Sequence, residues 1–286
     1  PSDENGETFV TVKDIAEYMN EHKQELFDEN PMMMTEERHE VSQVIAEAPR
    51  YQALKFFGVV SEWDKDTTKQ FAAITVEVEP NVRLVIFRGT DDTLIGWKED
   101  FLMTYSPLVA AQTDAKEYLA KQASLFDGDL MVSGHSKGGN LAIYAAATQE
   151  EDVQLRLVDI FCFDSPGLHR SVLETKGYKN IVPLAMRYIP QDSLVGLMLE
   201  SEVPYVIVKS NAKGAMQHSA MTWGIEDGQF IKMEKLTKNS QLNDQTFKKW
   251  TESVSDEDLE LFWNVFFELL FTAGIDTVND LYGQFM

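Results

Sequence analysis

The sequence has little cysteine, little positive charge and no long apolar run. Cys162 is the only cysteine in 286 residues, which excludes an intramolecular disulfide framework. It lies in the apolar run Leu157–Phe163, where a buried, inert thiol is expected. Such cysteine usage fits a reducing cytoplasm, the location expected for the chain. Only 25 Lys and Arg stand against 47 Asp and Glu, a formal charge of −22. Nucleic acids and anionic membranes bind basic surface, so neither is an expected partner. The charge is uneven, with 13 acidic and 4 basic residues in 1–50 and 9 and 2 in 241–286. Solvated helix faces at the two flanks account for it. There is no apolar span of about 20 residues, so stable helical membrane insertion is not expected. The most hydrophobic helical stretch, Leu259–Phe271, is short and contains Glu260 and Glu268. A secretory signal pattern is also missing. The chain opens on Pro1 rather than Met, and the expectation is that an N-terminal segment has been removed. No metal-ligand cluster and no nucleotide-type phosphate loop are evident, so no cofactor or metal is expected.

What is present is apolar residue in quantity, 44% of the chain, enough for a sizeable core. Helical spacing marks Val12–Phe27, through Ile15, Ala16, Met19 and Leu26, and Glu36–Glu47, through Val41, Val44 and Ile45. Met32, Met33 and Met34 between them fit flexible core filler or an exposed loop. β-Branched and aromatic runs then predict strands at Phe56–Val60, Phe71–Val78 and Val82–Phe87, with turns at Asp64–Lys69 and Pro80-Asn81. A helix over Thr113–Phe126, a strand Leu130–Ser133 and a helix Gly139–Thr148 follow. Further short strands are expected at Leu157–Phe163, Met186–Ile189 and Tyr205–Val208. This alternation favours a mostly parallel sheet covered by helices on both faces. Trp223–Met233, split by Glu226-Asp227-Gly228, predicts a hairpin. Ser255 with Asp258 forms a helix start, and ten of the sixteen residues from Asp256 to Phe271 are apolar. That helix is expected to bury itself against the sheet domain or a partner subunit, which leaves a homo-oligomer open. With no repeats or linkers, the simplest organisation is one domain. It comprises a helical extension at 1–50, a catalytic core at 51–235 and a helical extension at 236–286.

The segment Gly134-His135-Ser136-Lys137-Gly138 carries the most chemistry. It joins a strand to a small-residue helix. In such a turn the central serine is lifted clear of the sheet, and the residues two before and two after meet neighbouring backbone, which glycine tolerates. A helix N-terminus there favours developing negative charge. Ser136 is therefore the expected nucleophile of an α/β-hydrolase fold; an incidental serine in a tightly packed turn is the plain alternative.

Phe87-Arg88-Gly89-Thr90, Trp97, Asp100 and Gly134-His135-Ser136-Lys137-Gly138-Gly139 together resemble the class 3 (fungal-type) lipases and their bacterial lipase-like relatives. Phe163-Asp164-Ser165-Pro166-Gly167 resembles the Phe-Gly-x-Pro segment of those lipases, and the likeness spans roughly residues 80–220. It implies that the backbone N–H of Thr90 is one oxyanion donor and that of Lys137 the other. Lipases of that class usually carry leucine where Lys137 stands and a small residue where Asn140 stands. A lysine here suits an anionic substrate group or a solvated surface better than an apolar acyl tunnel. Leu94-Ile95-Gly96-Trp97 lies where related lipases carry a lid, and either a short flap or an ordinary amphipathic turn fits it.

The chain order of the fold is Ser, then Asp or Glu, then His. His22 and His39 come too early, and His135 sits inside the turn with a positioning or packing role. Of the remaining two, His218, after strand Tyr205–Val208, is preferred over His169 as the base. Asp192, after strand Met186–Ile189 and 26 residues before His218, is preferred over Asp164 as the acid that orients it. The expected protein is a serine hydrolase that cleaves a small-molecule or lipid carboxylic ester through an acyl-enzyme. A thioesterase, acyltransferase or peptidase on the same residues stays open, as does a non-catalytic binding protein of the same fold.

Overall fold

In a computed structural model that describes residues 7–22, 35–91, 93–277 and 280, the sheet begins with four antiparallel strands, the last three joined by turns too short for anything but hairpins. The short strand β1 (Val10–Thr11) pairs antiparallel with β2 (Lys55–Asp64), then come β3 (Lys69–Glu79) and β4 (Val82–Phe87), each antiparallel to its predecessor. Thr68 and Asn81, at φ 52° and 70°, turn the chain between them. A parallel return needs a crossover of a dozen or more residues. The chain supplies such crossovers from β4 onward, and β4, β5 (Asp129–His135), β6 (Leu157–Phe163), β7 (Ala185–Pro190) and β8 (Tyr205–Val208) run parallel in that spatial order. Beyond the small hairpin β9 (Ile225–Glu226) and β10 (Gln229–Phe230), strand β11 (Lys232–Met233) closes the other edge antiparallel to β8. The hairpin turn is Asp227-Gly228, both at positive φ, as a tight two-residue connection requires. The expected parallel sheet is thus the central block, flanked by antiparallel strands.

Ten helices are described: α1 (Val12–Glu21), α2 (Thr35–Glu47), α3 (Leu94–Leu102), α4 (Ala110–Leu125), α5 (Lys137–Ala147), α6 (Glu151–Gln154), α7 (Arg170–Leu173), α8 (Lys176–Ile181), α9 (Lys238–Ser253) and α10 (Asp256–Thr272). Val82–Phe87, Leu157–Phe163 and Tyr205–Val208 coincide with their expected bounds. The first expected helix is described only as far as Glu21, and Met32–Met34 lie outside the described residues. α5 is buried all round through its glycines and alanines, so it sits directly on the parallel strands. Val85, Leu119, Leu130, Val132, Leu141 and Ile160 are completely buried in the core between them. This is the α/β-hydrolase fold, with helical additions at both ends.

The α10 helix starts at the expected cap, with Ser255 Oγ accepting from the Asp258 N–H at 3.1 Å. One face packs on α3: the Phe101 and Trp263 rings stack at 3.8 Å, and Leu94, Phe267 and Ile275 form a small second core. Its other face leaves Leu261, Phe262, Val265 and Leu269 half-exposed or more. Leu94 N–H also donates to Asp276 O at 2.8 Å. Among the described residues, no helix is long and apolar enough to cross a membrane.

Candidate active site

Ser136 stands between β5 and α5, as the N-cap of the helix, at φ 58° and ψ −132°, a conformation that costs an L-residue about 1–3 kcal/mol. The turn is over-determined by its surroundings. Ser136 N–H donates to Phe163 O at 2.9 Å, and Gly139 N–H donates to Ser136 O at 3.0 Å. A Cβ on Gly138 would lie 2.1 Å from the carbonyl oxygen of Phe87, so only glycine fits where the elbow crosses β4. Gly134 faces Gly138 backbone as closely. Gly89 does the same for the next loop: its Cβ would meet His135 O at 2.6 Å and Ser136 Cβ at 3.1 Å. Thr90 is therefore carried on a loop that abuts the nucleophile candidate.

His218, the expected base, lies in the short 3₁₀ turn Gly214–His218. Its Nδ1 lies 2.7 Å from Asp164 Oδ2. A carboxylate beside Nδ1 fixes the proton there and leaves Nε2 with its lone pair, the tautomer of a general base. Asp164, at the end of β6 and only 1% exposed, also accepts from Ser193 Oγ at 2.5 Å and Gly196 N–H at 3.1 Å through Oδ1. It sits at φ 41°, held by its N–H donating to Tyr188 O at 2.7 Å. Three donors and a constrained backbone keep this carboxylate aimed at His218.

The expected pairing of Asp192 with His218 is corrected by this geometry. Asp192 Oδ1 accepts from Thr237 Oγ1 at 2.5 Å, and its Oδ2 faces Gln217 Nε2 at 3.5 Å. It ties the loop after β7 to the start of α9 and to the neighbour of His218, without reaching the imidazole. The reason is topological. β6 adjoins the β5 strand that leads into Ser136, so the residue after β6 is closer to the elbow than the residue after β7. Asp164 still falls between Ser136 and His218 in the chain. Ser193 and Gly196, from the Asp192 loop, enter only as donors to Asp164.

His135, for which positioning or packing is expected, contacts His218. Its Nε2 lies 2.7 Å from His218 O, and the two rings are 4.5 Å apart. A carbonyl only accepts, so His135 carries its proton on Nε2. Burial, then the nearby His218, depresses its pKa to about 4. His169 is elsewhere, capping α7 with Nδ1 2.8 Å from Ser171 Oγ.

The donors expected on the oxyanion side are the N–H groups of Thr90 and Lys137. Lys137 is the first residue of α5, where a helix N–H has no intrahelical acceptor. Its side chain is neither solvated nor open to substrate, which corrects both sequence expectations. Fully buried, it donates to Glu99 Oε2 at 2.8 Å, Gln70 O at 2.8 Å and Gln70 Oε1 at 3.0 Å. The Thr90 hydroxyl donates to Asp100 Oδ2 at 2.6 Å. Burial raises the Asp100 pKa to about 6 against the opposing pull of Lys137 and Thr90. Its Oδ1 is buried with no partner among the described residues. The stretch Leu94–Trp97 is the first turn of α3, with Leu94, Ile95 and Gly96 buried rather than raised as a flap. A cavity of about 680 Å³ lined by Arg187, Leu197, Tyr205 and Leu236 lies apart from Ser136, Asp164 and His218.

A family model described as Mbeg1-like matches residues 45–268. No curated protein matches the sequence. Among solved structures, the chain is similar to the native Rhizomucor miehei lipase propeptide complex. The identity is 16% over 56% of this chain and 58% of that one, with a TM-score of 0.42. A fungal lipase–inhibitor complex is 15% identical over 72% and 82% of the two chains, with a TM-score of 0.41. A mutant form of MDLA from Penicillium cyclopium is 13% identical over 71% and 76%, also at 0.41. The chain spans a little over half the length of the Rhizomucor lipase.

Proposed function

The chain belongs to the Mbeg1-like family, and we propose that it is a serine hydrolase that cleaves a carboxylic ester through Ser136, His218 and Asp164. The observation that carries this reading is the 2.7 Å bond between His218 Nδ1 and buried Asp164, with the His218 ring 4.5 Å from that of His135, the residue before a serine held at positive φ on a helix N-terminus. His218 Nε2 takes the Ser136 proton as Oγ attacks the ester carbonyl. Asp164 holds the tautomer and stabilises the imidazolium without taking its proton. The N–H groups of Thr90 and Lys137 meet the oxyanion, and the imidazolium returns the proton to the departing alkoxide. Water, deprotonated by the same histidine, then releases the acid from Ser136.

The substrate fits a soluble ester better than an anionic lipid surface, which a protein of charge −22 repels. The α3 segment at the lid position is clasped by α10 and Asp276, a second reason to expect activity without an interface. Hydrolysis of p-nitrophenyl butyrate tests the proposal. The wild type should turn over the ester, and Ser136→Ala should fall to the uncatalysed rate; equal rates for the two would refute it.

A further inference from the structure

Glu99 and Lys137 form the one arrangement in the described molecule in which an ion pair has both side chains fully shielded from solvent. All three ammonium protons of Lys137 have acceptors. The carboxylate is filled as well: Glu99 Oε2 also accepts from Gln70 N–H at 3.0 Å, and Oε1 from Ala111 N–H at 2.9 Å. Desolvating two charges is expensive, and apolar residues of similar volume commonly serve stability as well or better. A saturated pair of this kind instead fixes position, because every bond has a direction and a length. What it fixes is the first residue of α5, whose backbone N–H is the proposed second oxyanion donor. The next residue along α3, Asp100, holds the Thr90 hydroxyl at 2.6 Å. Two adjacent carboxyl groups on one helix turn therefore hold the residues on both sides of the proposed oxyanion site.

We propose that Glu99 and the Lys137 side chain are positioning residues, whose ion pair locks the elbow N–H in register with Thr90 for oxyanion binding. This rests on the serine-hydrolase reading, so the test begins with fluorophosphonate labelling of the wild type, with Ser136→Ala as control. Absence of labelling would remove the hydrolase reading and this inference with it. With labelling established, kcat and KM on p-nitrophenyl butyrate are measured for Glu99→Gln, Lys137→Met and the double variant. The double variant leaves no buried unpaired charge and keeps an amide acceptor for the Gln70 or Ala111 N–H. A displaced oxyanion donor should lower kcat about 10- to 100-fold, less than the loss of a donor outright, with KM changed less than about threefold. The rate of phosphonate labelling should fall in parallel, while circular dichroism shows the double variant folded. A folded double variant whose kcat is within about threefold of wild type would overturn the proposal. So would failure of every variant to fold, which would assign the pair to stability alone.

Discussion

Replacing Asp164 by Asn separates the two candidate acids. Asp164 is buried and accepts three hydrogen bonds, from His218 Nδ1, Ser193 Oγ and Gly196 N–H. An asparagine can keep Oδ1 in contact with Ser193 and Gly196, so the loop and the fold should persist. Its amide then presents N–H to His218 Nδ1, which must give up its own proton to accept that bond. The proton moves to Nε2, the atom that has to receive the proton of Ser136. A wrong tautomer of this kind costs roughly 10⁴ in kcat, or about 5 kcal/mol of transition-state stabilisation, with little change in KM. Asp192→Asn should behave differently. Its contacts run to Thr237 and Gln217, and loosening them disturbs the His218 turn only indirectly, for a loss within about tenfold. Steady-state kinetics on a chromogenic butyrate ester, with circular dichroism to verify folding, decides between them. If Asp192→Asn loses more activity than Asp164→Asn, the assignment of the acid is wrong.

Two buried titrations should tilt stability in opposite directions. The folded-state pKa of Asp100 is about 6 against 3.8, so its contribution to stability declines as pH rises between those values, by roughly 3 kcal/mol. Asp100→Asn should therefore gain on the wild type as pH climbs from about 4 to about 6 in urea unfolding; a constant difference would refute this. His135 stands at about 4 against 6.5, so its contribution is retained at neutral pH and lost, again by roughly 3 kcal/mol, as pH falls through that window. His135→Gln keeps a donor for His218 O and should flatten the acid limb; an unchanged acid limb would contradict the assignment. In Gly138→Ala the new Cβ would stand 2.1 Å from Phe87 O, and because strand backbone yields little, a destabilisation of about 3 kcal/mol or more is expected. A melting temperature equal to the wild type's would show that the elbow crosses β4 less closely.

The parts of this molecule that are written locally were legible in the sequence. The elbow is one such part, since strand, two glycines, serine and helix start are contiguous and each has a steric reason. Strands β4, β6 and β8 are others, because a short apolar run bounded by turn residues has few other uses. Asp164 and Asp192 both follow strands and both precede His218, so chain order alone does not separate them. The lateral order of β5, β6 and β7 does, together with the path of the loop that brings Ser193 and Gly196 to Asp164. The burial of Lys137 is non-local for a related reason, because its partners Gln70 and Glu99 lie 67 and 38 residues away. A signal was nevertheless present. The residues after Lys137 are Gly, Gly, Asn, Leu, Ala and Ile, with no solvated face for a lysine at the helix start, and a charge in such a helix needs a buried partner. The stacking of Trp263 in α10 on Phe101 in α3 likewise joins residues far apart in the chain.

Activation of Ser136 as a nucleophile is read out by intact-mass analysis with peptide mapping after treatment with a fluorophosphonate. One phosphonyl adduct should appear on the peptide containing Ser136, be absent from Ser136→Ala, and form far more slowly in Asp164→Asn. A wild-type protein that stays unmodified, or carries its adduct on another residue, would contradict the claim.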